Sequence, residues 1–99
     1  MILILSTFSD KEEARKIGNE LLKKKLIACY NLFPAESAYW WTGKIEEANE
    51  FLMIMKTLRE FKKIEKFIAE HHSYDTPEII AIEPKSVNDK YLKWINEVC

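Results

Sequence analysis

Two adjacent histidines, His71 and His72, are the side chains of this sequence best suited to bind a metal ion. A neutral imidazole nitrogen is a good ligand for copper and zinc. Adjacent helical residues point about 100° apart, so a regular helix cannot bring both rings to one ion. His71 continues the apolar stripe of Ile64 and Ile68, whereas His72 stands at the predicted helix exit. A structural role is the simpler interpretation, and a metal role would depend on His72 more than on His71.

The segment after the histidines contains further polar groups that could converge on a ligand. Tyr74, Asp75 and Glu78 lie within a short turn that also contains Pro77. Carboxylates there could supply oxygen ligands or accept a hydrogen bond from a histidine. Lys56 is a candidate anion contact in a cleft between subunits. An ordinary strand-end acid at Glu78 and a solvated Lys56 remain the alternatives.

Other catalytic chemistry has little support in the sequence. Cys29 and Cys99 show no metal or redox spacing, and no Ser/His/Asp or Cys/His arrangement stands out. A small acylphosphatase-like hydrolase would need an arginine aimed at phosphate near residues 6–10, which contain none. We therefore expect no enzyme, and a small hydrolase or a non-catalytic protein-binding scaffold remains the alternative.

Length and charge narrow the class of protein further. The 99 residues predict a single domain, 1–99. A net charge of −1 gives no electrostatic footprint for nucleic acid or for an anionic membrane, so neither is expected as a partner. The N-terminal Met-Ile-Leu-Ile-Leu lacks the basic region of a signal peptide, and a cytoplasmic location is expected.

The positions of apolar and turn-forming residues predict seven elements. A strand at 2–5 precedes a helix whose capping box is Ser9–Glu12, and a second strand begins at 27–30. Pro34 predicts a bulge or an edge position in that strand. The chain should turn near Gly43 and return as a third strand ending near Lys56.

The second half of the chain repeats the alternation of helix and strand. A second capping box, Thr57–Glu60, predicts a helix that ends near the histidine pair. A fourth strand at 79–82 and a last helix capped by Asn88 or Ser86 complete the order. The first six elements have the β-α-β-β-α-β order of an α+β ferredoxin-like sandwich.

Three predicted strands, at 2–5, 51–55 and 79–82, are apolar without alternation. In a ferredoxin-like sandwich the helices cover one sheet face and leave the other bare, so such strands need a partner surface. A second copy of the chain is the simplest supplier. The interface candidates are Tyr39, Trp40, Trp41, Leu52 and Ile54.

The whole chain resembles the CutA family of divalent-cation tolerance proteins. The tryptophan-rich hairpin and the His-x-Tyr-x-x-Pro-Glu segment are the most specific parts of the match. The resembling segments are Ser6–Asp10, Ala28–Asn31, Tyr39–Glu46, Ile54–Thr57, His72–Ile80 and Asp89–Ile95.

The resemblance implies a homotrimer of ferredoxin-like subunits, similar in plan to the PII signalling proteins. It also implies a role in tolerance to copper and similar divalent cations, with such a metal as ligand and no essential cofactor. The family's proposed copper ligands are a cysteine, whose position is Ser6 here, and the pair His71 and His72. Without the thiolate the softest ligand is lost, so only weak to moderate copper binding is expected.

Overall fold

A computed structural model describes all residues, 1–99, as one antiparallel sheet with three helices. The elements are β1 (Ile2–Phe8), α1 (Lys11–Lys23), β2 (Cys29–Trp41), β3 (Lys44–Thr57), α2 (Phe61–His71), β4 (Ile80–Ile82) and α3 (Asp89–Val98). The strand order is β2-β3-β1-β4, and every neighbouring pair is antiparallel. This is the ferredoxin-like α+β topology that the element order predicts. No helix of the chain is both long enough and apolar enough to cross a bilayer.

The first strand and helix differ in detail from the predicted ones. β1 runs on to Phe8, and its burial alternates, with Ile4, Ser6 and Phe8 buried. The N-cap of α1 is Asp10, whose carboxylate accepts a hydrogen bond from the Glu13 N–H at 3.1 Å. The predicted capping box at Ser9–Glu12 is therefore wrong by one residue, because Asp10 offers a charged acceptor at the helix's positive end.

The long hairpin of β2 and β3 keeps one register from Cys29 opposite Lys56 to Trp41 opposite Lys44. Thr42 and Gly43 form the two-residue turn, and both have positive φ, of 50° and 78°. Both central residues of a type I′ turn need positive φ. The turn prediction at Gly43 is thus confirmed.

Pro34 lies in β2, which is an edge strand, and pairs opposite Phe51 without interrupting the register. An edge strand leaves alternate N–H groups free of the ladder, so a residue without an N–H is tolerated there. The edge position is confirmed, and no bulge forms.

The core lies between the sheet and the helices α1 and α2. Ile4, Phe8, Met53 and Met55 point from the central strands into this layer, where the helices contribute buried residues of their own. The helix residues in the core are Ala14, Ile17, Leu21, Ile64 and Ile68. Only 15 of the 99 residues are buried, so much of the apolar surface of this chain is left outside the core.

The opposite sheet face is apolar and largely uncovered. Paired strand residues share a face, and Leu5 pairs with both Ile54 and Ile80. Ile80 is 48% exposed, and Leu5, Leu52 and Ile54 are half-buried. Leu52 and Ile54 therefore lie together on the face away from α1 and α2, so this face has the apolar character that the sequence predicts.

The start of α2 also departs from the predicted cap, whereas α3 begins after Asn88 as predicted. Thr57 belongs to β3, and its Oγ1 donates to the Leu26 carbonyl at 2.6 Å and accepts from the Arg59 N–H at 2.9 Å. The capping box at Thr57–Glu60 is wrong, since Glu60 is the N-cap and makes no side-chain cap bond. Asn88 is the N-cap of α3, again without a side-chain bond.

Candidate functional site

His72 is fixed by hydrogen bonds at both ring nitrogens. Its Nε2 donates to the Thr7 carbonyl oxygen at 2.8 Å, and its Nδ1 accepts from the Tyr74 N–H at 3.0 Å. Its side chain is 0% exposed, and its ring stacks on Phe8 with centroids 4.5 Å apart. The two partners select the neutral Nε2–H tautomer, which leaves no ring nitrogen free for a ligand in this arrangement.

His71 is the histidine with a free nitrogen. It is exposed, and its Nδ1 donates to the Phe67 carbonyl at 2.8 Å, which leaves Nε2 as the acceptor. Its ring stacks on Phe67 at 4.1 Å between centroids. The expectation that His71 continues the apolar stripe of Ile64 and Ile68 into the core is therefore wrong, and it is His72, at the helix exit as predicted, whose ring is buried. The helix ends at His71, and the extended backbone of His72 turns its ring back toward β1.

His71 borders a groove between α1 and α2 with a volume of about 390 Å³. Four carboxylates and one lysine, Lys16, share the groove with the imidazole. The carboxylates belong to Asp10, Glu12, Glu13 and Glu20. No three His, Cys, Asp or Glu side chains of the chain converge closely enough to hold a metal ion in this arrangement.

Ser6, at the position of the family's cysteine, is fully buried on the helix face of β1. Its hydroxyl donates to the backbone oxygen of Glu78 at 2.7 Å, a bond that spans 72 positions of sequence. This hydrogen bond therefore joins the segment before β4 to the central strand β1.

Tyr74 and Glu50 form the second polar centre. The Tyr74 hydroxyl donates to Glu50 Oε2 at 2.7 Å. Burial, followed by the hydrogen bond to Glu50 and then by the negative charge of Glu50, raises the pKa of Tyr74 to about 12. Both side chains line a cavity of about 620 Å³, which Glu78 also borders. Glu50 was not among the predicted site residues, although its carboxylate lies in the same alternating row of β3 as Leu52 and Ile54.

Lys56 does not lie near Tyr74 and Glu78. It lies six residues from Glu50 along β3, about 20 Å at the rise of an extended strand. Its Nζ donates to Asn31 Oδ1 at 2.7 Å and lies 5.9 Å from the centre of the Tyr91 ring. The Tyr91 hydroxyl is in turn 3.4 Å from Cys29 Sγ. Of the three predicted cleft residues, the structure brings together only Tyr74 and Glu78.

The interface candidates lie on two surfaces. Leu52 and Ile54 are on the open sheet face, whereas Tyr39, Trp40 and Trp41 are exposed near the hairpin tip. Trp40, at 73%, is the most exposed of these aromatic residues, and Tyr39 and Trp41 border the cavity of Glu50 and Tyr74.

The fold and these polar centres define a small ferredoxin-like α+β protein with acidic surface cavities. The model of the CutA1 divalent ion tolerance protein family matches residues 2–98. The chain belongs to this family, which confirms the resemblance seen in the sequence.

Curated relatives extend over nearly the same length. The divalent-cation tolerance protein CutA of Pyrococcus horikoshii is 46% identical over 98% of this chain and 96% of its own. The protein of the same name from Thermotoga maritima is 41% identical over 98% of this chain and 97% of its own. These relatives are named as tolerance proteins rather than as enzymes.

Solved structures show the same fold. The crystal structure of CutA1 from Pyrococcus horikoshii has a TM-score of 0.92 at 46% identity, covering 98% of this chain and 96% of that one. The structure of an Archaeoglobus fulgidus protein, titled periplasmic divalent cation tolerance protein CutA, has a TM-score of 0.94 at 44% identity, covering 99% and 98%. A rice relative, 36% identical over 95% of this chain and 54% of its own, is named chloroplastic. The names of these family members thus place them in different compartments. The cytoplasmic location of this chain stays a prediction.

Proposed function

We propose that this chain acts in tolerance to divalent cations as a homotrimer that binds such a cation at its surface. The observation that carries the proposal is the family match over residues 2–98, supported by relatives named for divalent-cation tolerance. The assembly and the cation site are two separate parts of the proposal, and each rests on its own contacts.

Assembly is supported by the apolar surface that the fold leaves open. The sheet face opposite α1 and α2 carries Leu52, Ile54 and Ile80. The third helix, α3, contacts this face at only one end, where the Tyr91 hydroxyl meets Cys29 Sγ. Patches of this kind on a monomer mark interaction sites. A closed cyclic assembly would cover the same face on every copy.

Cation binding is best supported at His71. Its Nδ1–H is held by the Phe67 carbonyl, which is the second-shell arrangement that orients a histidine for a metal at Nε2. Three acids of α1, of which Glu12 is exposed, share its groove and could supply oxygen ligands by rotating their side chains. With one imidazole and no thiolate in the groove, the expected affinity for copper or zinc is weak to moderate. His72 would support the fold rather than bind the cation.

Calorimetric titration with copper and zinc tests the cation site. Wild type should bind, His71→Ala should lose most of the binding, and Lys85→Ala, an exposed site away from the groove, should match wild type. Binding should weaken as pH falls through the histidine range of about 6–7, because only neutral imidazole is a ligand. Identical isotherms for wild type and His71→Ala would rule out this site.

A further inference from the structure

The end of α1 meets the start of α2, and together they form a basic surface. Arg59 Nε donates to the Lys25 carbonyl oxygen at 3.2 Å, and Lys24 Nζ lies 5.8 Å from the centre of the Phe67 ring, so the two segments are in direct contact. Six exposed basic residues define this basic surface: Lys23, Lys24, Lys25, Arg59, Lys62 and Lys63.

The acids on the same segments neutralise this surface only in part. Lys23 pairs with Glu20 at 3.6 Å and Lys62 with Glu65 at 3.2 Å, but both pairs are exposed and such pairs are weak. The other four basic side chains form no ion pair. The third acid, Glu60, is the N-cap of α2 and makes no side-chain cap bond, and the first turn of α2 contains no acid. The positive end of the α2 dipole therefore adds to the local charge.

The basic surface lies outside the regions that the proposed assembly would cover. It belongs to the helix layer, whereas Leu52 and Ile54 lie on the opposite face of the sheet. It is also separate from the proposed cation site, because His71 is eight residues beyond Lys63, about 12 Å along the axis of α2. Each copy in a trimer would therefore present this surface to solvent.

We propose that the basic surface docks an acidic polypeptide segment of a partner protein. The complementary charge would supply the recognition and would speed the encounter of the two proteins. This interaction goes beyond the proposed function and does not require a cation at His71.

Two features favour spaced carboxylates over a nucleic acid as the partner group. The phosphates of a nucleic acid are closely spaced, and some of them would face the acids that lie among the lysines. No aromatic ring of this surface is free to stack a base, since the Phe67 ring already stacks on His71, with centroids 4.1 Å apart, and has Lys24 over it. Carboxylates spaced along a peptide avoid both problems.

A membrane surface fits less well than a polypeptide. On the two segments Leu58, at 36%, is the only large apolar side chain that is exposed. Helices that bind the membrane interface bury a continuous apolar face between the lipid headgroups, and this surface offers none.

Fluorescence anisotropy of the intact protein with labelled peptides tests the inference. The probe is a short peptide of alternating glutamate and alanine, and the same peptide with glutamine or lysine in place of glutamate is the matched neutral or basic probe. The glutamate peptide should bind at least about tenfold more tightly than either at low ionic strength. Its affinity should fall as salt is added, because exposed charges are screened.

Variants locate the docking surface. Lys24→Gln combined with Lys63→Gln removes one charge from each segment and should weaken binding of the glutamate peptide about tenfold or more. Lys11→Gln combined with Lys44→Gln is the matched control, because it makes the same change in net charge at exposed residues of the far end of α1 and of the hairpin turn. Lys25→Gly separates binding from folding. Lys25 has a φ of 58°, which favours glycine, so this variant should raise the Tm while weakening peptide binding several-fold.

Three results would overturn the inference: no binding of the glutamate peptide by wild type, equal binding of the glutamine peptide, or equal losses in the two double variants. Tighter binding of a single-stranded oligonucleotide of the same charge would overturn it in favour of a nucleic acid. Self-association of the protein that Lys24→Gln with Lys63→Gln abolishes, with no peptide binding, would assign the surface to a second copy instead. Loss of peptide binding in that double variant, with its copper isotherm unchanged, would support a docking surface independent of the His71 site.

Discussion

His72 Nε2 donates to the carbonyl oxygen of Thr7 and thereby joins the end of α2 to the central strand, 65 positions earlier in the chain. The same ring accepts the Tyr74 N–H and stacks on Phe8. One side chain thus connects the helix, the strand and the turn that contains Tyr74.

We expect His72→Ala to lower the free energy of unfolding by about 2–4 kcal/mol, because it removes a buried ring and leaves the Thr7 and Tyr74 backbone groups unpaired. His71→Ala is the matched control on the neighbouring residue and should cost about 0.5 kcal/mol or less, since its ring is exposed. Urea unfolding of the two variants measures the difference. Equal losses would show that His72 does not carry this structural role.

Gly18 marks the closest approach of α1 to the sheet. A Cβ there would lie 2.8 Å from Tyr30 Cε2 and 2.9 Å from the Met53 methyl. Alanine normally stabilises a helix relative to glycine by about 1 kcal/mol, whereas overpacking costs about 1–3 kcal/mol. We expect Gly18→Ala to be destabilising, as measured by thermal unfolding. Arg15→Ala, at an exposed site in the same helix, is the control, and a higher Tm for Gly18→Ala would contradict the packing argument.

Two tyrosines make the protein sensitive to alkaline pH. Burial and Glu50 raise the pKa of Tyr74 to about 12, and the hydrogen bond with Cys29, with burial, raises that of Tyr91 to about 12. Between pH 10 and 12 the folded chain therefore retains protons that the unfolded chain releases, and its stability falls as pH rises.

Tyrosinate absorbance and chemical unfolding across that range check this expectation. Tyr74→Phe and Tyr91→Phe should each flatten the decline, whereas Tyr30→Phe, whose hydroxyl donates to Asn19 rather than to Glu50 or Cys29, should leave its slope unchanged. If the free energy of unfolding fell just as steeply with pH in both variants, groups other than Tyr74 and Tyr91 would be responsible.

Ile54→Asp should prevent assembly while leaving the subunit folded, because Ile54 lies on the open sheet face rather than in the core. Sedimentation velocity should change from three times the 11.7 kDa chain mass to the single chain mass. Leu58→Asp, a partly exposed site outside the strands, is the control. A wild-type protein that sediments as a monomer at micromolar concentration would refute the proposed trimer.

The topology could be predicted because its determinants are local. A glycine at the turn, apolar runs of strand length and helical periodicity each depend on residues close in sequence. The caps were less predictable, since Ser9 and Asp10 are both good N-cap residues and the backbone geometry selects Asp10.

The candidate site depended on contacts that no local pattern contains. The roles of His71 and His72 are reversed because the helix stops between them, and periodicity does not apply beyond a helix end. The Tyr74–Glu50 bond spans 24 positions and joins a turn to a hairpin, so it requires the tertiary packing to be known.

The exposed hairpin tip determines what an optical measurement of this protein reports. Two of the three tryptophans, Trp40 and Trp41, lie beside the turn, and the third, Trp94, is also partly exposed on α3. None belongs to the helix-packed core. Intrinsic fluorescence should therefore follow the covering of the hairpin by a neighbour or a ligand, while the loss of the core can pass almost unseen until the hairpin itself unfolds.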